Sequence, residues 1–417
     1  MRQSELFAKI KKEAPKDAES ISHKYLARGD FIDQAASGIY SFLPLGWRVH
    51  KKIENIIRQE MLSVGGQEIF LPVLTPKKFW LETGRWQTID PPLFKFKDRH
   101  GSELALGPTH EEIITDLVRR RVKSYRDLPL YLFQIQDKFR NEMRATGGLL
   151  RVREFIMKDL YSFHQSPKDA KEFYEKVKKA YLRIFKRCGL NPVAVEADPG
   201  TIGGEMSHEF MVLSETGEDK VLVCKKCGFA GNIEKFQDIK ICPKCQSNLE
   251  KFSAIESAHA FYLGTKYSSP MVANFIDKKG GQNPVIMGCY GIGLGRLMAT
   301  IIEANHDQRG IVWPIEVAPF ALHLIPVGGS AKVTAATDKI YDSLKKAAMD
   351  VLYDDRVEKT PGEKFAEADL IGIPTRLVVS EKTLEKNSVE IKKRNEQKTR
   401  LVRLAKLSNQ LLSLAKQ

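Results

Sequence analysis

The chain has 417 residues, 42% of them hydrophobic, and a formal net charge of +14. That length suits two or three domains rather than one, the apolar content excludes a disordered chain, and the charge favours a polyanionic partner such as nucleic acid. No apolar stretch approaches the ~20 residues of a membrane span, and the opening MRQSELFAKIKKEAPKDAES has neither the apolar run of a secretory signal nor the acid-poor composition of a transit peptide, so a cytoplasmic location and no membrane partner are expected.

In chain order, GWRVHKKIENIIRQEMLSV predicts an amphipathic helix, with Val49, Ile53, Ile56, Ile57 and Met61 near helical spacing. Gly65-Gly66 ends it, and QEIFLPVL follows as a β-rich run closed by Pro72. LPLYLFQIQDKFRNE and RVREFIMKDLYSFH read as two strands joined by the polar, glycine-bearing RATGGLL, a hairpin with a long basic loop. Residues 166–188 predict a helix with Ser166 as N-cap and Pro167 at the first position. Residues 253–315 return to strand text, then CYGIGLGRLMATIIEAN runs from glycines into an apolar helix. From residue 316 strands and helices alternate: FALHLIPVG, AATDKIYDSLKKAAMD, VLYDDR, GEKFAEADLIGI, TRLVVSE and a hairpin around Asn395-Glu396. That pattern predicts a separate α/β domain with a mixed sheet.

Three segments carry candidate chemistry. Phe139-Arg140-Asn141-Glu142 ends one strand, and Phe155 and Asp159 sit four apart on the next. An arginine on a strand is a rigid bidentate clamp for a carboxylate or phosphate, and a phenylalanine nearby can stack on a purine. Gly291-Ile-Gly293-Leu-Gly295-Arg296 opens a helix, where absent side chains let a ligand approach and the N-terminus favours anions. It is not a Walker loop, because no Lys-Ser/Thr follows. In Gly107-Pro108-Thr109-His110-Glu111-Glu112, a hydroxyl and a carboxylate two residues apart can bind a substrate ammonium. The competing reading is a helix start, with Thr109 as N-cap and Glu112 closing a capping box.

Six cysteines are present, and four form Cys224-Lys-Lys-Cys227 and Cys242-Pro-Lys-Cys245, fourteen residues apart. In a cytosolic chain this is close to the spacing of a closed, structural tetrahedral zinc site.

Arg-x-Glu on a strand, Phe-x-x-x-Asp on its partner and a glycine-rich turn ending in arginine together resemble the signature motifs of class II aminoacyl-tRNA synthetases. GPTHEE, MKDLYSFH, GGEMSHEF and GCYGIG resemble the prolyl-tRNA synthetases of bacterial type, and the similarity runs from about Met1 to Gln417. The resemblance implies an α/β fold overall: an α+β catalytic domain on an antiparallel sheet flanked by helices, a small zinc-knuckle insertion, and a C-terminal α/β anticodon-binding domain. The expected divisions are 1–219 and 251–315 for the catalytic domain, 220–250 for the knuckle and 316–417 for the anticodon-binding domain. The implied activity is ATP-dependent activation of L-proline and its transfer to the 3′ end of tRNA(Pro). ATP is then a substrate, Mg²⁺ a cofactor and Zn²⁺ a structural ion.

The resemblance also implies residue roles. Arg140 holds the α-phosphate and the substrate carboxylate, and Arg296 meets the γ-phosphate; these two are the catalytic pair. Glu142 lies at the adenine end and Phe155 stacks on adenine. Asp159, Thr265, Gly291 and Gly293 complete the nucleotide site. Thr109 and Glu111 receive the secondary ammonium of proline, and His208 and Cys289 line the pocket around its ring. Arg356, Lys364, Phe365, Lys392, Lys393, Arg394 and Arg400 are the candidate tRNA contacts. The helix–strand at 45–75 implies a homodimer. The common bacterial pattern carries a large insertion between its second and third motifs that hydrolyses mischarged alanyl-tRNA. Here only some thirty residues around the knuckle stand in that place, so no editing in cis is expected and a separate trans-editing protein is a candidate partner. A non-catalytic RNA-binding relative would show a broken set of ATP-contact residues, and Arg140, Glu142, Phe155, Asp159 and Arg296 are all present.

Overall fold

The computed structural model describes residues 1–89, 92–236 and 239–407. Helix α1 spans Pro44–Ser63, followed by a two-residue strand β1, Gln67–Glu68. Helix α2 is Glu111–Arg121, the expected hairpin is β2 (Leu130–Phe139) and β3 (Glu154–His164), and helix α3 is Pro167–Arg187. Strands β4 (Val193–Ala197), β5 (Met206–Leu213), β6 (Asp219–Val223), β7 (Ala230–Asn232), β8 (Glu250–Gly264) and β9 (Ile286–Gly293) lead into helix α4, Leu294–Ala304. Then come β10 (Leu322–Val327), α5 (Ala331–Lys346), β11 (Val351–Tyr353), α6 (Pro361–Ile371), β12 (Thr375–Ser380), β13 (Ser388–Lys393) and β14 (Thr399–Arg403).

The chain forms two compact units, one made of Ala35–Ile39 and Ile53–Thr300, the other of Met1–Gln34, Tyr40–Lys52 and Ile301–Gln417. The first unit is built on a nine-stranded sheet ordered β5-β4-β7-β6-β8-β9-β3-β2-β1, in which β5 also pairs with β8. The pairings at its centre, β2/β3, β3/β9 and β9/β8, are antiparallel. Period-two alternation in these strands gives the sheet two different faces. Tyr161, Phe261, Met287 and Cys289 join a buried apolar cluster with Ile114 and Val118 of α2 and with Tyr267. On the opposite face Lys158, Tyr290 and Phe210 meet Tyr174 and Tyr181 of α3. Helix α3 is capped as its text predicts, with Ser166 Oγ accepting the Asp169 N–H and proline at the first turn.

The extra strand pairing closes β5, β4, β7, β6 and β8 into a ring, so the cysteine segment is stitched into the sheet by β6 and β7 rather than standing apart. One expectation is corrected. The run QEIFLPVL joins this sheet only at Gln67–Glu68 and leaves it before Pro72; Leu74 then opens a short strand of a separate three-stranded sheet. Beyond Glu68, Leu71 N–H and Leu71 C=O are satisfied by the Gln134 and Gln136 side chains, so no partner strand is needed there.

The second unit contains the five-stranded sheet β11-β10-β12-β13-β14. Its first two pairings are parallel and its last two antiparallel, a mixed sheet as the alternation of elements predicts. Leu322, Leu324, Leu377, Val379, Val389 and Ile391 form its core with Val333, Ile340 and Leu344 of α5. Among the described residues no helix is long and apolar enough to cross a membrane.

Candidate active site

Strand register explains why distant motifs meet. Gln134 of β2 faces Asp159 of β3, Asp159 faces Gly291 of β9, Gly291 faces His259 of β8, and His259 faces Glu209 of β5. One row therefore crosses five strands. Two residues along, Tyr161, Cys289 and Phe261 form a second row on the same face. A cavity of about 200 Å³ opens over these rows, lined by Thr109, Arg140, Glu142, Phe155, Met157, Asp159, Glu256, His259, Phe261, Cys289, Gly291, Gly293 and Arg296, among others.

The cavity is rich in unequal charges. Arg140 lies just past the end of β2, its guanidinium carbon 5.2 Å from the centre of the Phe155 ring. It has no ion-pair partner among the described residues. Burial lowers its proton affinity, and the like charge of Arg296 lowers it further. Arg296, in the first turn of α4, is tethered: Nε donates to Leu150 O at 2.8 Å, and Nη1 to Glu256 O and Oε2 at 3.1 and 3.2 Å. Glu142 accepts from Arg151 Nε at 3.0 Å. On the floor, the Asp159 carboxylate meets Lys138 Nζ and Gln134 Nε2, each at 2.8 Å. Burial pushes Asp159 up, but the Lys138 ammonium, with His110 behind it, holds it below its ordinary value.

At the other end, Thr109 Oγ1 donates to Glu111 Oε2 at 2.5 Å, and the Cys289 thiol donates to Glu111 Oε1 at 3.1 Å. Burial and the Glu111 charge push the Cys289 thiol well up, so it is a small protonated wall residue rather than a nucleophile. The capping-box reading of this segment is corrected: the N-cap is His110, Thr109 reaches Glu111 instead, and Glu112 turns away to Thr83 and Arg85.

The glycines act differently from the expectation too. Gly291 and Gly293 belong to β9, and the helix begins only at Leu294. Neither has a left-handed φ. A Cβ on Gly291 would meet nothing nearer than Met157 Sδ at 3.5 Å, and one on Gly293 nothing nearer than Arg296 Cβ at 3.7 Å. Their glycine identity leaves the floor of the cavity bare.

Nine of the twelve expected residues thus line one cavity, and Glu111 stands directly behind Thr109. His208 and Thr265 do not line it. The expectation for His208 is corrected by parity: it stands on β5 between Ser207 and Glu209, on the α3 face, where Nδ1 meets Tyr174 Oη at 2.8 Å. Burial, aided by Lys178, pushes it down to about 4. Thr265 lies in the turn after β8, its carbonyl accepting from Ser269 N–H. The sequence reading also missed Phe261, His259, Glu256 and Glu209. The first two follow from alternation within SAHAFYL once Cys289 is placed.

Two groups suit metal ions. Sulfur atoms of Cys224, Cys227, Cys242 and Cys245 all lie within 4.8 Å of one another, with Cys224 and Cys245 3.5 Å apart and Cys227 and Cys242 3.6 Å apart. Four thiolates on a tetrahedron with ~2.3 Å Zn–S bonds stand at nearly those separations. Glu209, Glu256 and His259 also converge within 4.8 Å beside the cavity, and two carboxylates suit a hard divalent cation.

In the second unit the candidate tRNA contacts divide. Arg356 is held by Asp354 and Glu367, buried Lys364 donates to the carbonyls of Pro326 and Asp354, and Arg376 lies over Phe365. Arg394 is buried in a bidentate pair with Asp307, both contacts 2.7 Å. Lys392 and Lys393 are partly exposed and Arg400 is exposed.

Residues 94–305 match the tRNA synthetase class II core domain of the Gly, His, Pro, Ser and Thr enzymes, and residues 322–414 match an anticodon binding domain. A proline–tRNA ligase of Dehalococcoides mccartyi is 36% identical over 565 aligned positions covering 100% of this chain and 99% of that protein. One from Wolbachia sp. subsp. Drosophila simulans is 45% identical over 407 positions, 94% of this chain and 95% of its own length. This chain belongs to the proline–tRNA ligases of the class II synthetases. Its fold is that of the prolyl-tRNA synthetase of Cryptosporidium parvum solved with halofuginone and AMPPNP, with a TM-score of 0.79 at 21% identity, covering 95% of this chain and 76% of that one. The same protein solved with L-proline and AMP gives 0.78, covering 97% and 77%. The Dehalococcoides alignment has roughly 150 positions with no residue of this proline–tRNA ligase family member opposite them, whereas the Wolbachia alignment needs no such gap.

Proposed function

We infer that this chain is an ATP-dependent ligase that activates L-proline as prolyl-adenylate and transfers it to the 3′ end of tRNA(Pro). The observation that carries the reading is one cavity with an arginine that has no ion-pair partner among the described residues at one end and a Thr–Glu–Cys cluster at the other. A zwitterionic amino acid fits between them, carboxylate toward Arg140 and ammonium toward Thr109 and Glu111. Cys289 and Phe261 face each other in register and offer the apolar wall for a small ring.

In the first step a proline carboxylate oxygen attacks the α-phosphorus of ATP in line. The new P–O bond forms as the bond to the bridging oxygen breaks, and pyrophosphate leaves with the electron pair. Arg140 neutralises charge on the carboxylate and α-phosphate, and Arg296 meets the outer phosphate; positioning and fixed charge supply the acceleration. Phe155 offers its ring to adenine and Glu142, fixed by Arg151, stands at the adenine end. In the second step the terminal ribose hydroxyl attacks the adenylate carbonyl and AMP departs, the hydroxyl proton passing to the leaving phosphate. Glu209 and Glu256 are the carboxylates we assign to Mg²⁺, whose charge would neutralise the phosphates. The four cysteines are assigned to one structural Zn²⁺.

We assign 1–219 and 251–315 to the catalytic domain, 220–250 to the knuckle and 316–417 to the anticodon-binding domain. Lys392, Lys393 and Arg400 retain reach toward tRNA phosphates. A homodimer, cytoplasmic location and editing of alanyl-tRNA by a separate protein complete the reading. The decisive experiment is pyrophosphate exchange into ATP with each standard amino acid, without tRNA. Exchange with proline, and more weakly with alanine, is expected. Exchange with a different amino acid alone would overturn the pocket assignment.

A further inference from the structure

Behind the Thr109–Glu111 pair lies a second buried charge system that the two chemical steps do not touch. Arg85, in the short helix Arg85–Thr88, is 4% exposed. Its guanidinium carbon lies 5.5 Å from the ring centre of Trp80 and 5.3 Å from that of Tyr267. Nη1 donates to Glu112 Oε1 at 2.8 Å and stands 3.6 Å from Glu111 Oε2. Glu112 is fully buried, and the same Oε1 accepts Thr83 Oγ1 at 2.9 Å. Glu111 and Glu112 are consecutive at the start of α2, so their side chains diverge by about 100°. One reaches Thr109 and Cys289, the other reaches Arg85.

The cluster holds two carboxylates and one guanidinium, all buried, which leaves it one positive charge short. Two other cations act on it only from a distance, with no ion pair to either carboxylate among the described residues: Lys266, exposed to solvent, and Arg140, buried at the cavity and assigned to the substrate carboxylate. A buried ion pair of this kind adds little to stability compared with apolar residues of the same size. Arg85 also buries Nε and Nη2 without hydrogen-bond partners among the described residues, a further cost of placing it there. The missing charge is what the secondary ammonium of the amino-acid substrate carries.

We propose that Arg85 is a positioning residue for amino-acid recognition: anchored by Glu112, it holds the Glu111 carboxylate in place from behind and leaves it one charge for the substrate ammonium. The inference rests on the assignment of Thr109 and Glu111 to that ammonium. Arg85 touches neither substrate nor nucleotide, so its effect falls on proline and spares ATP.

The test compares wild type, Arg85→Met and the double variant Arg85→Met/Glu112→Gln in pyrophosphate exchange, varying proline at saturating ATP and then ATP at saturating proline. The single variant strands the Glu112 charge and is expected to weaken the fold. The double variant removes both charges, so it is expected to melt near wild type, with a proline KM raised tenfold or more and an ATP KM within twofold. A folded double variant with unchanged proline KM would overturn the inference, as would equal rises for both substrates. If the double variant does not fold, Arg85→Lys, which loses the fork that reaches both carboxylates, decides: a rise of threefold or more confined to the proline KM supports the inference, and an unchanged proline KM or equal rises for both substrates overturns it. Absence of proline-dependent exchange by the wild type would instead sink the parent assignment.

Discussion

Arg140 and Lys138 are cations beside the same cavity, and their surroundings predict opposite consequences of removal. Arg140→Gln takes away a guanidinium without an ion-pair partner among the described residues. Burial and Arg296 both oppose its charge, while the Phe155 ring 5.2 Å away favours it. A cation–π contact of this kind contributes about 0.5–1 kcal/mol. Relief of burial and of like-charge repulsion offsets it, so the change in folding free energy should stay within about 1 kcal/mol. Activity should fall much further. Two charge-assisted hydrogen bonds to the reacting carboxylate and phosphate, at about 1.5–3 kcal/mol each, amount to a loss of about 10²–10⁴ in kcat/KM. Because that charge develops as the P–O bonds exchange, kcat should fall along with kcat/KM. Urea unfolding followed by tryptophan fluorescence, with Trp80 and Trp86 reporting on this unit, measures the first quantity, and pyrophosphate exchange with proline measures the second. A stability loss of about 2 kcal/mol or more, or an activity loss under tenfold, would show that the guanidinium is structural and refute the reasoning.

Lys138→Met should do the reverse on stability, costing about 3–5 kcal/mol, because the side chains of Lys138 and Asp159 are 0% and 2% exposed and the substitution leaves a buried carboxylate alone. Asp159 is held below its ordinary value in the folded protein, so the pair's contribution is complete above about pH 4 and is lost as pH falls through the folded value; acid unfolding of wild type should show that limb and Lys138→Asn/Asp159→Asn should lack it. Metal analysis should find one zinc per chain, and Cys242→Ser should abolish it and lower the melting temperature, since the cysteine segment anchors β6 and β7; equal melting with and without zinc would refute a structural site. Incubated with alanyl-tRNA(Pro), the protein alone should release alanine no faster than buffer; rapid release would overturn the absence of editing. Replacing Lys392, Lys393 and Arg400 by Gln should weaken tRNA binding and flatten its salt dependence while leaving tRNA-free exchange with proline unchanged; an unaltered salt slope would place the tRNA elsewhere.

Much of the architecture was legible because the relevant signals are local. Ser166-Pro167 sets the start of α3, and the alternation of strands and helices after residue 316 recurs in the mixed sheet of β10 to β14. The strand expected through Pro72 failed for a reason no local pattern carries: the backbone at Leu71 is satisfied by two glutamine side chains from β2 instead of by a neighbouring strand. The ring closed by β5 and β8 was equally hidden, since it depends on residues some fifty positions apart pairing twice over, with a register shift at Phe210/Met211.

The site shows where a motif stops being informative. A motif names residues that occur together, but on a strand only parity decides which of two neighbours faces a ligand. His208 and Glu209 are adjacent, and both are plausible polar lining for a small pocket. Register puts Glu209 in the row with His259, Gly291 and Asp159, and turns His208 to Tyr174 of α3. The same parity explains Lys158 and Asp159: the carboxylate enters the cavity floor, and the lysine points away to Tyr181 Oη at 2.5 Å and Tyr290 O at 2.9 Å. Burial pushes that lysine down to about 7, a shift that would mark a catalytic base if it faced the substrate. Its position behind the sheet assigns it instead to holding the strand that carries Cys289 and Gly291. A perturbed group becomes evidence of chemistry only after the face it occupies has been fixed, and in this fold the sheet register fixes it.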